Sequence, residues 1–389
     1  LYTKTITMLS NKIYKHFFIE LSKYFFITLF TFSAIVWTVQ AVNFLDLVVE
    51  DGHALSVYLG YSFLNVPKIL TKFIPLSFLI ALVLTILKFE NENELIILWT
   101  AGVNKIKVVH FFLKVSLIVT LLQLFFATIL NPYILNYSRS LIKSSNLDFI
   151  SSMVKTNQFN DTVAGLTIFV EEKNENGKMK NIFIRDEGKV LRSIEDASQT
   201  DNITIIAKEG DIVNQNSPVL ILNDGIIQSQ KINKDIQTVK FKKTILKLDG
   251  LQTRSIIQTK IQETPSILLL ECYFAKENKK ILNCPRDHKK DDVLSEINRR
   301  FGMPLYIPVI ALIICFLLNQ REENKFKNYF KYFYVVIGFL ILVVAEILVK
   351  YSGKSFNNSL IYYLTPLLIM PLIYLEIIRS FLYENLRKK

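Results

Sequence analysis

Six stretches of this chain stay apolar for longer than a soluble core could use, and they constrain its fold class more than any other feature. A bilayer's hydrocarbon core is about 30 Å thick, and a helix needs roughly 20 mostly apolar residues to cross it. Phe25 to Leu45 meets that length. Val57 to Leu87 exceeds it. Pro67, Lys68, Lys72 and Pro75 interrupt this second run, which reads as one long helix whose outer part lies at or beyond the interface. Val108 to Leu130 is the third, closed by Asn131-Pro132. After about 170 residues without a span come Met303–Leu318, Tyr334–Val349 and Leu360–Ile378, the first of these short unless Phe301 and its neighbours extend it. The first run has no small-residue cleavage site, so it is expected to stay as an anchor and not to be removed as a signal peptide.

Charge then sets orientation. Lys and Arg outnumber Asp and Glu by 46 to 34, a net +12. A basic excess can mean nucleic acid, but here much of it flanks the apolar runs, where it marks the cytoplasmic side. With the N-terminus inside, that side receives Lys4, Lys12, Lys15, Lys23, Lys88, Lys105, Lys107, Arg321, Lys325, Lys327, Lys331, Arg379, Arg387, Lys388 and Lys389. The short outer loops receive only Lys350 and Lys354, and Asp46 to Asp51 is purely acidic. The inverted topology would reverse the ratio. An inner-membrane protein with both termini cytoplasmic and residues 137–298 outside is therefore expected. Ahead of the first span, Ile13, Phe17, Phe18, Leu21 and Phe25 recur at helical spacing, with Lys12, Lys15, His16, Glu20 and Lys23 between them. That is the pattern of an amphipathic helix lying along the inner interface. The alternative is that the segment extends the first span into the cytoplasm.

The outer block reads as strands. Gly165–Val170 and Lys180–Arg185 are β-branched and aromatic runs joined by a Gly- and Asn-containing turn over Glu171–Lys178. Thr204–Ala207, Pro218–Leu222, Ile226–Ser229 and Thr238–Leu248 continue the pattern, and Asn223-Asp-Gly225 is a hairpin signal. Many short strands in series point to a sandwich or jelly roll. Ser266–Arg300 then reads as helical and leads back to the membrane. Three domains follow. Residues 1–136 hold the interfacial helix, spans one to three and a cytoplasmic helix at about 90–102. Residues 137–298 form a periplasmic β-jellyroll-like domain, and residues 299–389 hold spans four to six.

The chain offers little for catalysis. Its histidines, His16, His53, His110 and His288, sit in unrelated contexts, and neither a zinc-protease nor a nucleophile-elbow pattern occurs. Gly353-Lys354-Ser355 resembles the end of a phosphate-binding loop, but Leu348 stands where the glycine cradle should begin. No catalytic residue, metal site or cofactor of its own is expected. Cys272 and Cys284 lie in the outer block, where a disulfide is permitted and free thiols are equally open; Cys315 is a packing residue within a span.

The most informative short segment is Glu90-Asn-Glu-Asn-Glu-Leu-Ile-Ile-Leu-Trp-Thr-Ala-Gly-Val103 between spans two and three. Acidic groups open it, which favours a helix N-terminus. Leu95, Ile96, Leu98 and Trp99 follow, and Gly102 is a natural stop. Such a helix fits docking into a partner's groove, and it equally fits lying on lipid.

Glu92-x-Glu94-Leu95 followed by Ala101-Gly102, with Val66-Pro67, Ile74-Pro75-Leu76, Asn131-Pro132, Glu296-Ile297-x-x-Arg300-Phe301 and Pro304-Leu305, resembles the lipopolysaccharide-export permeases LptF and LptG. The resemblance covers essentially the whole chain. It implies a heterodimeric ABC-type permease of LptF and LptG with two copies of the ATPase LptB, where ATP is bound, and an LptC-like periplasmic bridge protein that takes lipopolysaccharide onward. Gly165–Val170 with Asn181-Ile-Phe-Ile-Arg185 is more similar to the F subunit, and the Trp-x-Arg-Asp-Gly stretch of G subunits is not found. Glu92, Glu94, Leu98, Trp99 and Gly102 then become the ATPase-coupling candidates, with Leu98 and Trp99 filling the ATPase groove. In the family the substrate cavity lies between the two subunits near spans one and five. Candidates here are Gln40, Asn43 and Phe44 from span one, Lys68 and Lys72 from span two, and Glu346 and Lys350 from span five. Ala41 and Phe44 stand where better-known F subunits carry basic residues. Lys68 and Lys72 share a helix face and could compensate, or simply snorkel to headgroups. Glu346 and Lys350, at i and i+4, could satisfy each other. The rival reading is a membrane-anchored β-domain serving as scaffold or sensor without transport.

Overall fold

The computed structural model describes residues 2–49, 54–144, 156–163, 165–174, 178–187, 200–214, 218–231, 236–247, 261–274, 290–319 and 327–387. Six helical stretches in it are long and apolar enough to cross a membrane: Lys12–Val49, Leu55–Asn91, Lys105–Ile142, Lys290–Leu318, Lys331–Ser352 and Phe356–Leu382. With the strands between the third and fourth, this is the helical membrane protein with a β-domain that the sequence implies. The chain divides into two compact units, one of Leu1–Thr38, Asn65–Asn136 and Lys260–Lys389, the other of Val39–Leu64 and Tyr137–Thr259.

Most of α1 (Tyr2–Asn43) belongs to the helical unit; it is a single helix of 42 residues, about 63 Å at 1.5 Å per residue. The segment expected to lie separately along the interface is thus continuous with the first span. Its apolar stripe supplies the reason: Phe17, Leu21, Phe25 and Leu29 are buried against Phe78, Leu82, Phe89 and Phe112 of spans two and three. Glu20, on the same stripe, would be costly there alone, and it is held by Lys23 and Lys88 at 2.8 Å each.

Span two is one long helical stretch, Leu55–Asn91, as expected, with a single turn residue, Asn65, between its two segments. After the short α2 (Asp46–Val49), α3 covers Leu55–Leu64 and α4 covers Val66–Asn91, with Pro67 in the first turn of α4. Proline tolerates that position because its missing N–H is an orphan there anyway. Span three runs on past its expected end. α6 (Lys105–Phe125) passes through a π-turn at Phe126–Leu130 straight into α7 (Asn131–Ser144), so Asn131-Pro132 does not end the helix. Pro132 cannot donate to the Thr128 carbonyl, and the Ser266 hydroxyl donates to that carbonyl instead at 2.8 Å. α8 (Ser266–Phe274) and α9 (Lys290–Gly302) lead into α10 (Tyr306–Cys315), and α11 (Lys327–Ser352) and α12 (Phe356–Arg387) complete the spans. Arg321 and Lys325 lie outside the described residues.

The other unit carries one antiparallel sheet whose strands neighbour each other in chain order: β1 (Phe159–Val163), β2 (Leu166–Lys173), β3 (Met179–Asp186), β4 (Thr200–Asn214), β5 (Pro218–Lys231) and β6 (Ile236–Lys247). Val170, Ile182 and Ala207 sit opposite one another across three strands and are 0–2% exposed. They and Leu166, Ile184, Ile205, Leu222 and Leu246 form one enclosed apolar face. Asn223-Asp-Gly225 is not the expected hairpin. β5 runs through it, paired with β4 and β6 on both sides, and the turn preference survives only as a left-handed φ of 48° at Asp224. Two ladders outweigh one local preference. Cys272 is disulfide-bonded, and Cys284 lies outside the described residues.

Candidate functional site

A cavity of about 390 Å³ lies inside the helical unit among α4, the span-three helix, α9 and α11. Lys68 and Lys72 come to it from one face of α4, Gln123 and Asn131 from span three, Glu296, Arg299 and Arg300 from α9, and Glu346 from α11. Four cations thus meet two carboxylates. Arg300 is only 3% exposed, and its guanidinium is committed to holding the chain in place. It donates to the carbonyls of Ile261, Gln262 and Thr264, to the Ser266 hydroxyl and to Glu296. Arg299 is freer: it reaches Glu346 at 3.0 Å and Glu296 at 3.7 Å.

Three polar atoms on the wall are buried without a hydrogen-bond partner: Gln123 Oε1, Asn131 Oδ1 and Arg299 Nε. The orientation of Asn131 follows from its neighbour. The Thr71 hydroxyl donates to the Pro67 carbonyl, so it accepts from Asn131 Nδ2 at 3.0 Å, which leaves Oδ1 unused. A buried polar atom left unsatisfied costs about 1–3 kcal/mol, and here three such atoms line one space.

The structure brings Lys68, Lys72 and Glu346 of the expected substrate residues to this cavity. Glu346 does not pair with Lys350 one turn away but with Arg299, whose planar guanidinium reaches across from α9. Lys350 lines a shallower recess with Glu346, Ile347, Tyr351 and Lys354. Gln40, Asn43 and Phe44 belong to the other compact unit, where the Phe44 ring packs edge-on against Tyr61 at 4.9 Å and the Ala41 carbonyl accepts from the Tyr58 hydroxyl at 3.0 Å. Sequence reasoning missed Gln123, Asn131, Arg299 and Glu296 as cavity residues. A glutamine and an asparagine inside an apolar run were the available signal, since polar groups within a span seek partners.

The short helix between spans two and three is α5 (Glu94–Thr100). Asn93, in the left-handed region at φ 58°, separates it from α4. Gly102, at φ 82°, ends it: the Val103 N–H reaches back to the Leu98 carbonyl and the Gly102 N–H to that of Trp99. The helix base is staked to its own chain. Glu94 lies 3.3 Å from His16 of α1, Lys88 2.8 Å from Glu20, and Glu90 2.6 Å from Lys331 of α11. Leu98 and Trp99, expected to fill a partner's groove, instead pack against the core of the helical unit, and Lys105 sits 5.4 Å over the Trp99 ring. The reason is helical phase: they share a face with Leu95, which is 1% exposed. The outward face carries Ile97 at 63% exposure and Ile96 at 38%, with Thr100, Ala101 and Glu92 beside them.

The family profile of the lipopolysaccharide export system permeases LptF/LptG matches residues 15–380. The uncharacterized protein RP871 of Rickettsia prowazekii (strain Madrid E) is 22% identical over 351 residues, covering 89% of this chain and 92% of that protein.

Proposed function

The chain belongs to the LptF/LptG family of lipopolysaccharide export system permeases, and from that premise we propose that it is the non-hydrolytic subunit of an ATP-driven transporter that draws lipopolysaccharide out of the inner membrane. Family membership makes it a multi-pass inner-membrane permease and part of a lipopolysaccharide export complex. The finer proposal is a heterodimer, with this chain as the F subunit beside a G-like permease, two LptB-like ATPases on the cytoplasmic face and an LptC-like bridge receiving lipid from the β-domain. Both termini are then cytoplasmic and residues 137–298 periplasmic. ATP is bound only by the partner ATPase.

The observation that carries the coupling role is α5. It is a short helix with Glu94 3.3 Å from His16 of α1, it follows directly on the end of α4 where Glu90 pairs with Lys331 of α11, and it leaves Ile96 and Ile97 exposed. A force applied to that face would be passed to two spans. The docking face is therefore Ile96, Ile97 and Thr100 with Glu92, while Leu98, Trp99 and Gly102 hold the helix in place. Glu94 sits at the edge, available to both His16 and the partner. Lys68 and Lys72 are the groups to meet the lipid's phosphates. Gln40, Asn43, Phe44 and Lys350 remain candidates for the face shared with the second permease subunit.

The experiment is affinity capture of the tagged full chain from solubilised membranes. Recovery of a soluble ATPase in stoichiometric amount, lost on Ile97→Glu, supports the reading. Recovery of the chain with no ATPase favours the scaffold or sensor.

A further inference from the structure

The wall of the cavity among α4, span three, α9 and α11 combines positive charge with unused hydrogen-bond acceptors. Gln123 is 4% exposed, and its Oε1, like Asn131 Oδ1, has nothing to accept from, while Arg299 Nε has nothing to donate to. Lys72 has no carboxylate partner among the described residues. An acyl chain in this space would leave Gln123 Oε1, Asn131 Oδ1 and Arg299 Nε stranded at the penalty for buried unpaired polar atoms. A cationic headgroup would meet a wall of four cations and two carboxylates. An aprotic anion such as chloride or sulfate would suit Lys72 and Arg299, but it has no proton for the two amide oxygens. A group carrying both phosphate and hydroxyls answers every one of them.

We infer that this cavity binds the hydroxyl-bearing phosphate headgroup of a lipid. The phosphate lies between Lys68, Lys72 and Arg299, and the hydroxyls donate to Gln123 and Asn131. Glu346, half-exposed and 3.0 Å from Arg299, is the carboxylate that the phosphate displaces. Residues of spans two to five of this one chain line the site. Two lipids present the same chemistry: phosphatidylglycerol of the surrounding membrane and the phosphorylated sugar end of lipopolysaccharide. Only the second source rests on the transport reading.

The test is native mass spectrometry of the purified full chain taken from nanodiscs of phosphatidylethanolamine alone, or with added phosphatidylglycerol or lipopolysaccharide. Retention of phosphatidylglycerol, reduced at least tenfold by Lys72→Met and by Gln123→Leu, supports the site and assigns it to a membrane lipid. Retention of lipopolysaccharide alone, with the same sensitivity, supports it and assigns it to the substrate. Phe125→Leu, at a surface position of the same helix, leaves retention unchanged. Lys72 is exposed, so its variant decides the matter if Gln123→Leu fails to insert. Phosphatidylethanolamine held as well as the anionic lipids, or wild-type retention of both by Lys72→Met, overturns the inference. No ATPase is needed, so a failure of ATPase capture would refute the transport reading and leave this result standing.

Discussion

Replacing Arg300 tests whether a single buried guanidinium holds the returning chain on span four. A guanidinium has five N–H donors, and each is used here. Nε donates to Glu296, Nη1 to the Thr264 carbonyl and the Ser266 hydroxyl, and Nη2 to the Ile261 and Gln262 carbonyls, at 2.9–3.3 Å. Ser266 in turn caps the Thr128 carbonyl that Pro132 leaves unbonded. Arg300→Met strips all five bonds and leaves the Glu296 carboxylate, 12% exposed, with only the longer contact to Arg299. Removing one partner of a buried pair costs about 3–5 kcal/mol, and that is the expected loss. Arg300→Lys keeps the charge but offers three donors in place of five. At about 1 kcal/mol per lost hydrogen bond it loses about 2 kcal/mol. Adding Glu296→Gln to Arg300→Met removes the stranded charge and is expected to recover about 1 kcal/mol or more. The assay is equilibrium unfolding of the full chain in mixed micelles, followed by tryptophan fluorescence, with limited proteolysis reporting on residues 261–274. A loss below about 1 kcal/mol for Arg300→Met, or equal stability of the Lys and Met variants, would refute the reasoning.

Ile97→Glu puts a charge on the exposed face of α5 and is expected to leave the fold intact while lowering ATPase capture at least tenfold. Interface anchors commonly contribute about 2 kcal/mol or more, so undiminished capture would remove α5 from the coupling role. Trp99→Ala acts differently: it loosens α5 from its own core, so proteolysis between spans two and three should quicken even in the isolated chain, and an unchanged cleavage rate would count against the inward packing. In the sheet, a Cβ on Gly225 would clash with the Ile206 carbonyl oxygen and the Phe241 ring. Gly225→Val is therefore expected to cost the β-domain about 2 kcal/mol or more, beyond ordinary overpacking because a backbone atom cannot yield; wild-type protease resistance of that domain would contradict it. For topology, Asn174→Cys should react with an impermeant thiol reagent from the periplasm, and Thr100→Cys only after the inner membrane is opened. The reverse pattern would invert the orientation.

Local pattern determined much of this protein. Apolar runs of span length, Lys and Arg beside them, alternating β-branched segments and the stop at Gly102 depend on residues near one another in the chain, so they are legible without tertiary structure. The ordered motifs from Val66-Pro67 to Pro304-Leu305 carried the family in the same way. What the tertiary structure decided depended on partners far apart. Asn131-Pro132 would end an isolated helix; it does not end this one, because Ser266, 138 positions beyond Thr128, satisfies the freed carbonyl. Asn223-Asp-Gly225 would turn in a peptide, but two flanking strands keep it extended. Trp99 reads as a surface anchor until the packed spans supply the core that its face meets. Glu346 has a lysine one turn away, yet an arginine on α9, 47 positions earlier, takes its carboxylate. The cavity is the extreme case. Gln123, Asn131, Arg299 and Lys72 have no sequence relation to one another, and only the packing of four spans sets their unused atoms around one space.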